Sequence, residues 1–340
     1  MMSTRRIPLN IFGMGFGVAG LATAWRIAVD QHLAPHEVSD ILVGLAAVVW
    51  LVSVLLYLRH ILTTRSALNS DLHDMTVGPF ASLALITPIL LAADGIAPYS
   101  RSAAAAIIDV FIVGVVLLGG WFTGTWLQGG TELDRLHPGY FLPTVAGGLV
   151  ASAGAAEVGQ ERLAEFMLGF GILCWVIVGS MILGRLIFRP ALPDALAPTM
   201  AIEVAPAAVA SLAYFFAHGP HITPFVTGLA GYGLLMVVAQ VPLMSRYVRL
   251  KFSLATWAFT FSWAAVASTL LFWIDAEHVS GGKTLSYLDL AAISLLVTAI
   301  AVRTAVAISQ GRLLPPQAPP ITEPAPEKDS TESAVAVPTN

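Results

Sequence analysis

Charge is what this chain has least of. Asp, Glu, Lys and Arg together make up 11% of its 340 residues, where a soluble domain carries about 25%. Cysteine is scarcer still. Cys174 stands alone in the apolar run "GILCWVIVGS", which excludes an intrachain disulfide and leaves a small hydrophobe facing core or lipid. There is no Walker A string and no nucleophile elbow, and no catalytic pair sits inside an apolar run. Direct ATP coupling and hydrolase chemistry therefore have no residues to carry them. His218 and His221 form an H-x-x-H without the carboxylates or cysteines that a zinc site needs. No cofactor, metal or nucleic acid is expected.

Apolar residues are abundant: 56% of the chain is hydrophobic and the mean hydropathy is +0.78. They fall into runs of roughly 18 to 27 residues, each long enough to cross a bilayer core of ~30 Å as a helix. Ten spans can be drawn, at about 8–29, 39–62, 77–94, 103–127, 138–156, 161–187, 196–217, 223–246, 252–273 and 286–309. The expected fold is an all-α integral membrane protein. It divides into a short cytoplasmic N-terminus (1–7), a ten-helix domain (8–310) and a Pro-rich acidic tail (311–340) too polar to bury a core. The opening "STRRIPLN" loosely resembles an export signal. With no small-residue cleavage site after it, it reads as the basic flank of span 1.

Loop charges fix the expected orientation. With ten spans, all 17 Lys and Arg residues except Arg26, Arg101, Arg162 and Lys283 fall on the side that holds both termini. Basic loops stay in the cytoplasm, so both termini are expected there, in a bacterial-type inner membrane. "DLHD" (Asp71 to Asp74) and "TELDRLH" (Glu132 to His137) read as solvated loop charges on that side.

Odd spans differ from even ones. Interior prolines fall in span 3 (Pro79, Pro88), span 5 (Pro143) and span 7 (Pro198, Pro206), and span 1 carries glycines instead. Membranes tolerate such irregular helices where they face protein or a watery cavity. The expected architecture is five helical hairpins, with odd helices lining a central pore and even helices facing lipid.

Gly15, Gly17 and Gly20 spell the G-x-G-x-x-G of a dinucleotide-binding turn. That motif requires a preceding strand and a βαβ unit, and here it sits inside an apolar helix. On a wheel of 100° per residue, Asn10, Gly13, Gly17, Gly20 and Ala24 share one face and Gly15 points away. The stripe either packs closely against another helix or leaves room for a path. Buried ionisable groups come next. Glu203 is the deepest, on one face with Thr199, Pro206 and Ala210. Asp109 and Glu165 lie nearer span ends. In span 9, Phe261 shares a face with Trp257, Ala265 and Ser268. It reads either as a packing aromatic or as a hydrophobic plug.

These strings resemble one family. "FGMGFGVAGLATAWR" in span 1, "GPFASLALITP" in span 3, "HPGYFLPTVAGGLVASAGA" in span 5, "APTMAIEVAPAAVASLAY" in span 7 and "ATWAFTFSWAA" in span 9 are similar to the tellurite-resistance and C4-dicarboxylate transporter family. That family includes the plant slow anion channels. The resemblance implies a homotrimer of ten-helix subunits whose kinked odd helices line a pore, occluded by a span 9 phenylalanine at Phe261. It implies a lining drawn from Asn10, Gly13, Gly17 and Gly20, from Pro88, Pro143 and Gly147, and from Thr199, Glu203 and Pro206, with Trp257 and Ser268 in span 9. Two departures stand out. Ser262 replaces a frequent proline, so span 9 is expected to bend less. Glu203 stands where relatives are commonly neutral, and an ionised carboxylate there would repel anions and make transport pH-dependent. No basic residue lies mid-span, so an anion would rest on backbone dipoles and on Asn10, Thr199 and Ser268. The expected function is a channel or uniporter for small monovalent anions. The rivals are a proton-coupled carrier of malate-like dicarboxylates using Glu203, or a membrane protein with no conduit.

Overall fold

The structure, a computed structural model, describes residues 6–314; residues 1–5 and most of the expected tail lie outside them. Ten helices are long and apolar enough to cross a membrane: Leu9–Asp30, His36–Thr63, Gly78–Gly95, Arg101–Leu127, Pro138–Glu157, Glu161–Phe188, Ala197–His218, Pro224–Tyr247, Leu254–Ala276 and Gly282–Ser309. They are numbered spans 1 to 10. The protein is therefore a multi-pass, all-helical membrane protein. Span 10 starts earlier than its hydropathy suggested, because Gly281 (φ 74°) takes the left-handed turn that lets the helix begin among polar residues.

Odd and even spans occupy different layers. Between 56 and 89% of the apolar core of each odd span is buried, against 17 to 28% of each even span. The odd spans touch in a closed ring, span 1 to 3 to 5 to 7 to 9 and back to 1, and each packs against the even span that follows it.

Winding separates the layers as well. Every even span is continuous α-helix. Every odd span starts with a tighter or wider segment: 3-10 helix at Leu9–Ile11, Gly78–Ser82, Pro138–Phe141, Ala197–Val204 and Leu254–Trp257, with a π turn at Leu142–Ala146. Proline explains much of this. Pro79, Pro138 and Pro198 sit in the first turn, where a missing N–H costs nothing. Hydroxyls then take the carbonyls three residues back: Ser82 Oγ donates to Pro79 O (2.6 Å), Thr199 Oγ1 to Leu196 O (2.7 Å) and Thr260 Oγ1 to Trp257 O (2.7 Å). Inside span 3, Pro88 cannot donate to Ala84 O, and the freed carbonyl accepts instead from Trp50 Nε1 of span 2 at 3.0 Å.

Two loop strings differ from their expected solvated state. Asp71 lies in a short helix, Ala67–His73, and is 2% exposed. It accepts from Arg6 Nη2 (2.5 Å) and from Tyr57 Oη (3.1 Å), so the approach to span 1 is tied to the loop before span 3. His137 is fully buried. Its Nδ1 accepts from the Gly139 amide (3.1 Å) and its Nε2 meets Met75 O at 3.2 Å. Burial pushes its pKa down to about 4, and a neutral ring with the proton on Nε2 satisfies both bonds.

Candidate functional site

Because each odd span begins on the same side, the five irregular starts meet one another in their own closed ring. They and the turns just after them enclose a first cavity of about 40 Å³. All five odd spans contribute: Asn10, Gly13 and Phe16 from span 1; Phe80 and Leu83 from span 3; Phe141, Leu142, Val145, Ala146 and Leu149 from span 5; Ile202, Ala205, Pro206 and Val209 from span 7; and Leu254, Trp257, Ala258, Phe261 and Ser262 from span 9. A second cavity of about 30 Å³ follows along the same ring. It is bordered by Gly20, Thr23, Leu90, Val150, Ala153, Leu212, Phe216, Ala265 and Ser268. No residue of an even span and no charged side chain borders either one, among the described residues.

Two residues border both cavities, Phe261 and Val209. Phe261 also stacks on Phe16, with ring centroids 3.7 Å apart and planes 19° apart. Gly20 makes room for it: a Cβ there would lie 2.8 Å from Phe261 Cδ2. Span 9 is unbroken α-helix from Ala258 to Ala276, so the ring projects from a continuous helix.

The residues singled out in the sequence divide into two groups. Asn10, Gly13, Pro206, Trp257 and Phe261 border the first cavity, and Gly20, Phe261 and Ser268 the second. The Trp257 indole is nevertheless committed outward, its Nε1 donating to Thr304 Oγ1 of span 10 at 3.0 Å.

Gly17, Pro88, Pro143, Gly147, Thr199 and Glu203 border neither cavity. Gly17 faces along the ring, where a Cβ would collide with Thr260 Oγ1 and lie 2.9 Å from Trp257 Cε3. Gly15 faces outward onto the Trp50 backbone of span 2, and Gly147 onto Val115 of span 4. Thr199 and Glu203 fall in the 3-10 segment of span 7. At three residues per turn they stand about 120° apart, where an α wheel puts them about 40° apart. Glu203 is 6% exposed and its Oε1 has no partner.

Phe16 was missed in the sequence, although it stands on the same helical face as Gly13 and Gly20. Ser262, seen only as a departure from a proline, borders the first cavity. Thr23 borders the second, and its hydroxyl donates to Asp94 Oδ2 at 2.6 Å.

A closed ring of five irregular helices inside a sheath of five regular ones, with uncharged cavities on its axis, describes a membrane protein built around its centre. The chain belongs to the family described as voltage-dependent anion channel (SLAC1), which matches residues 6–305. It is similar to the tellurite resistance protein TehA homolog of Haemophilus influenzae, 27% identical over 264 residues that cover 77% of this chain and 80% of that one. It is also similar to the S-type anion channel SLAH2 of Arabidopsis thaliana, 27% identical over 312 residues, 87% of this chain and 58% of the relative. To the guard cell S-type anion channel SLAC1 of the same plant it is 25% identical over 314 residues, 86% and 54% respectively. The chain thus spans little more than half the length of the two plant proteins. The resemblance drawn from the five odd-span strings is the family that matches.

Proposed function

We propose that this protein conducts small monovalent anions, of chloride or nitrate size, along the axis of the inner ring, with Phe261 as the gate. One observation carries the reading. Two uncharged cavities, each bordered by all five odd spans, meet only at Phe261 and Val209.

Three physical points support it. The five inner helices run parallel, so their N-termini meet around the first cavity, and each presents the positive end of its dipole there. The uncharged walls hold an ion weakly, as conduction requires. A cavity of about 40 Å³ has room for one small ion or a few waters and is cramped for an extended dicarboxylate. The names of the Arabidopsis relatives, both S-type anion channels, point the same way. In this reading both termini are cytoplasmic, the membrane is a bacterial-type inner membrane and the chain assembles as a homotrimer.

Glu203 favours a second reading. A buried carboxyl oxygen without a partner is a place to carry a proton, as a proton-coupled carrier of malate-like dicarboxylates would need. Reconstitution in liposomes separates the two. Chloride or nitrate efflux through Phe261→Ala, well above wild type, supports the gated anion path. Saturable, proton-dependent malate uptake abolished by Glu203→Gln overturns it in favour of the carrier. No flux of either kind removes the conduit from the account.

A further inference from the structure

Nothing charged borders the second cavity among the described residues, yet one carboxyl stands directly behind its wall. Thr23 of span 1 borders that cavity, and its hydroxyl donates to Asp94 Oδ2 of span 3 at 2.6 Å. Asp94 is 8% exposed, and its other oxygen makes no hydrogen bond among the described residues. No cation is bonded to it. The helical part of span 3 packs against spans 1, 2, 4 and 5, and the charged groups at their near ends are engaged elsewhere or solvated. Arg26 and Asp30 of span 1 pair with each other at 3.2 Å. On span 2, His36 faces Glu37 at 3.7 Å and Asp40 accepts from Tyr99 Oη at 3.2 Å. On span 4, Asp109 accepts from Gln160 Nε2 at 3.1 Å, and Arg101 is exposed. Span 5 ends on a further acid, Glu157.

We infer that Asp94 sets the barrier an anion meets beyond Phe261: its carboxylate opposes an ion in the second cavity, and a proton on it lets the ion pass. This rests on the anion-conduction reading and names the residue that limits passage once the gate is open. Distance decides the size of the effect. An ion touching Thr23 stands within about 6 Å of Asp94 Oδ2, close enough for a charge in a poorly solvated wall to change passage about tenfold. Thr23 keeps the change of state local. With Asp94 ionised, the one hydroxyl hydrogen points to Oδ2. With a proton on Asp94, the acid donates to Thr23 Oγ1, and the hydroxyl hydrogen turns to Ala19 O, already 3.2 Å away. Both states keep the contact between spans 1 and 3, so protonation requires no helix movement. Glu203 has no such link: it borders neither cavity, and its Oε1 has no partner.

Chloride currents through Phe261→Ala, with acid added only on the side away from the termini, test this. Current should rise on acidification. Adding Asp94→Asn, which keeps an acceptor for Thr23, should raise chloride current about tenfold at neutral pH and abolish the acid response, whereas Glu157→Gln should retain it. A carboxyl that merely ties span 1 to span 3 predicts the parent current and the parent pH profile in Asp94→Asn, and that result overturns the inference. A second readout needs no flux. An anion in the second cavity and a proton on Asp94 favour each other reciprocally. Exchanging gluconate for chloride should therefore strengthen the infrared carboxylic-acid band that Asp94→Asn removes. If Phe261→Ala carries no anion current, conduction fails while the chloride-dependent band still decides the role of Asp94. If current persists and the band ignores chloride, Asp94 fails alone.

Discussion

The Phe261 ring stacks on the Phe16 ring, centroids 3.7 Å apart, so the gate proposed above is one member of a pair held by spans 1 and 9 together. A single ring on one helix could swing on its own rotamer. A stacked pair must separate first, and aromatic pairs are worth about 0.5–1.5 kcal/mol beyond their buried area. Phe16→Leu keeps the bulk but loses the stack. Its open probability in planar-bilayer recordings should rise roughly two- to tenfold over wild type. An unchanged open probability would show that Phe16 only fills space.

The glycines of span 1 should separate by what each one faces. A Cβ on Gly13 meets Trp257 Cβ at 3.5 Å, an ordinary contact beside the first cavity. A Cβ on Gly17 collides with Thr260. Gly17→Ala should therefore cost about 1–3 kcal/mol of stability, as overpacking does, while Gly13→Ala stays within about 0.5 kcal/mol. Thermal unfolding in detergent reads both, and equal losses would contradict the placement of the stripe.

His137 should make the basic face acid-sensitive. In the unfolded chain a histidine binds its proton near pH 6.5, whereas burial holds the folded group down at about 4. Between these values the unfolded state carries a proton that the folded state does not, so acid favours unfolding. The contribution of His137 is present above about pH 6.5 and lost as the pH falls towards 4. It amounts to about 3 kcal/mol at most. The midpoint of thermal unfolding should drop over that window, and His137→Gln should flatten this part of the profile. A profile of the same slope in His137→Gln would place the titrating group elsewhere.

Glu203 borders neither cavity, so Glu203→Gln should leave anion flux through Phe261→Ala unchanged within twofold at neutral pH. A larger change would bring the carboxyl onto the path and restore the proton-coupled reading.

Much of this architecture was legible in the sequence. Ten apolar runs, the loop arginines and the prolines of spans 3, 5 and 7 were enough to count the helices and to sort irregular from regular ones. What escaped was phase. An α wheel assumes 100° per residue, and the 3-10 and π segments that open the odd spans break that count where Thr199, Glu203, Pro143 and Gly147 sit. Gly13, Gly20 and Ser268 lie in regular α-helix, and each borders one of the two cavities. Phe16 was overlooked because an aromatic among glycines in an apolar helix looks like filler, and only its partner ring shows otherwise. The burial of Asp71 depends on Arg6, 65 residues away, a distance no local pattern spans.

The central claim is that Phe261 closes a path which already exists on both sides of it. Single-channel recording of Phe261→Ala against wild type, in symmetrical chloride and then nitrate, tests this directly. The account predicts a stable, anion-selective conductance in the variant and rare or no openings in wild type. A correctly folded Phe261→Ala protein as silent as wild type would show that the two cavities are not parts of one conduit.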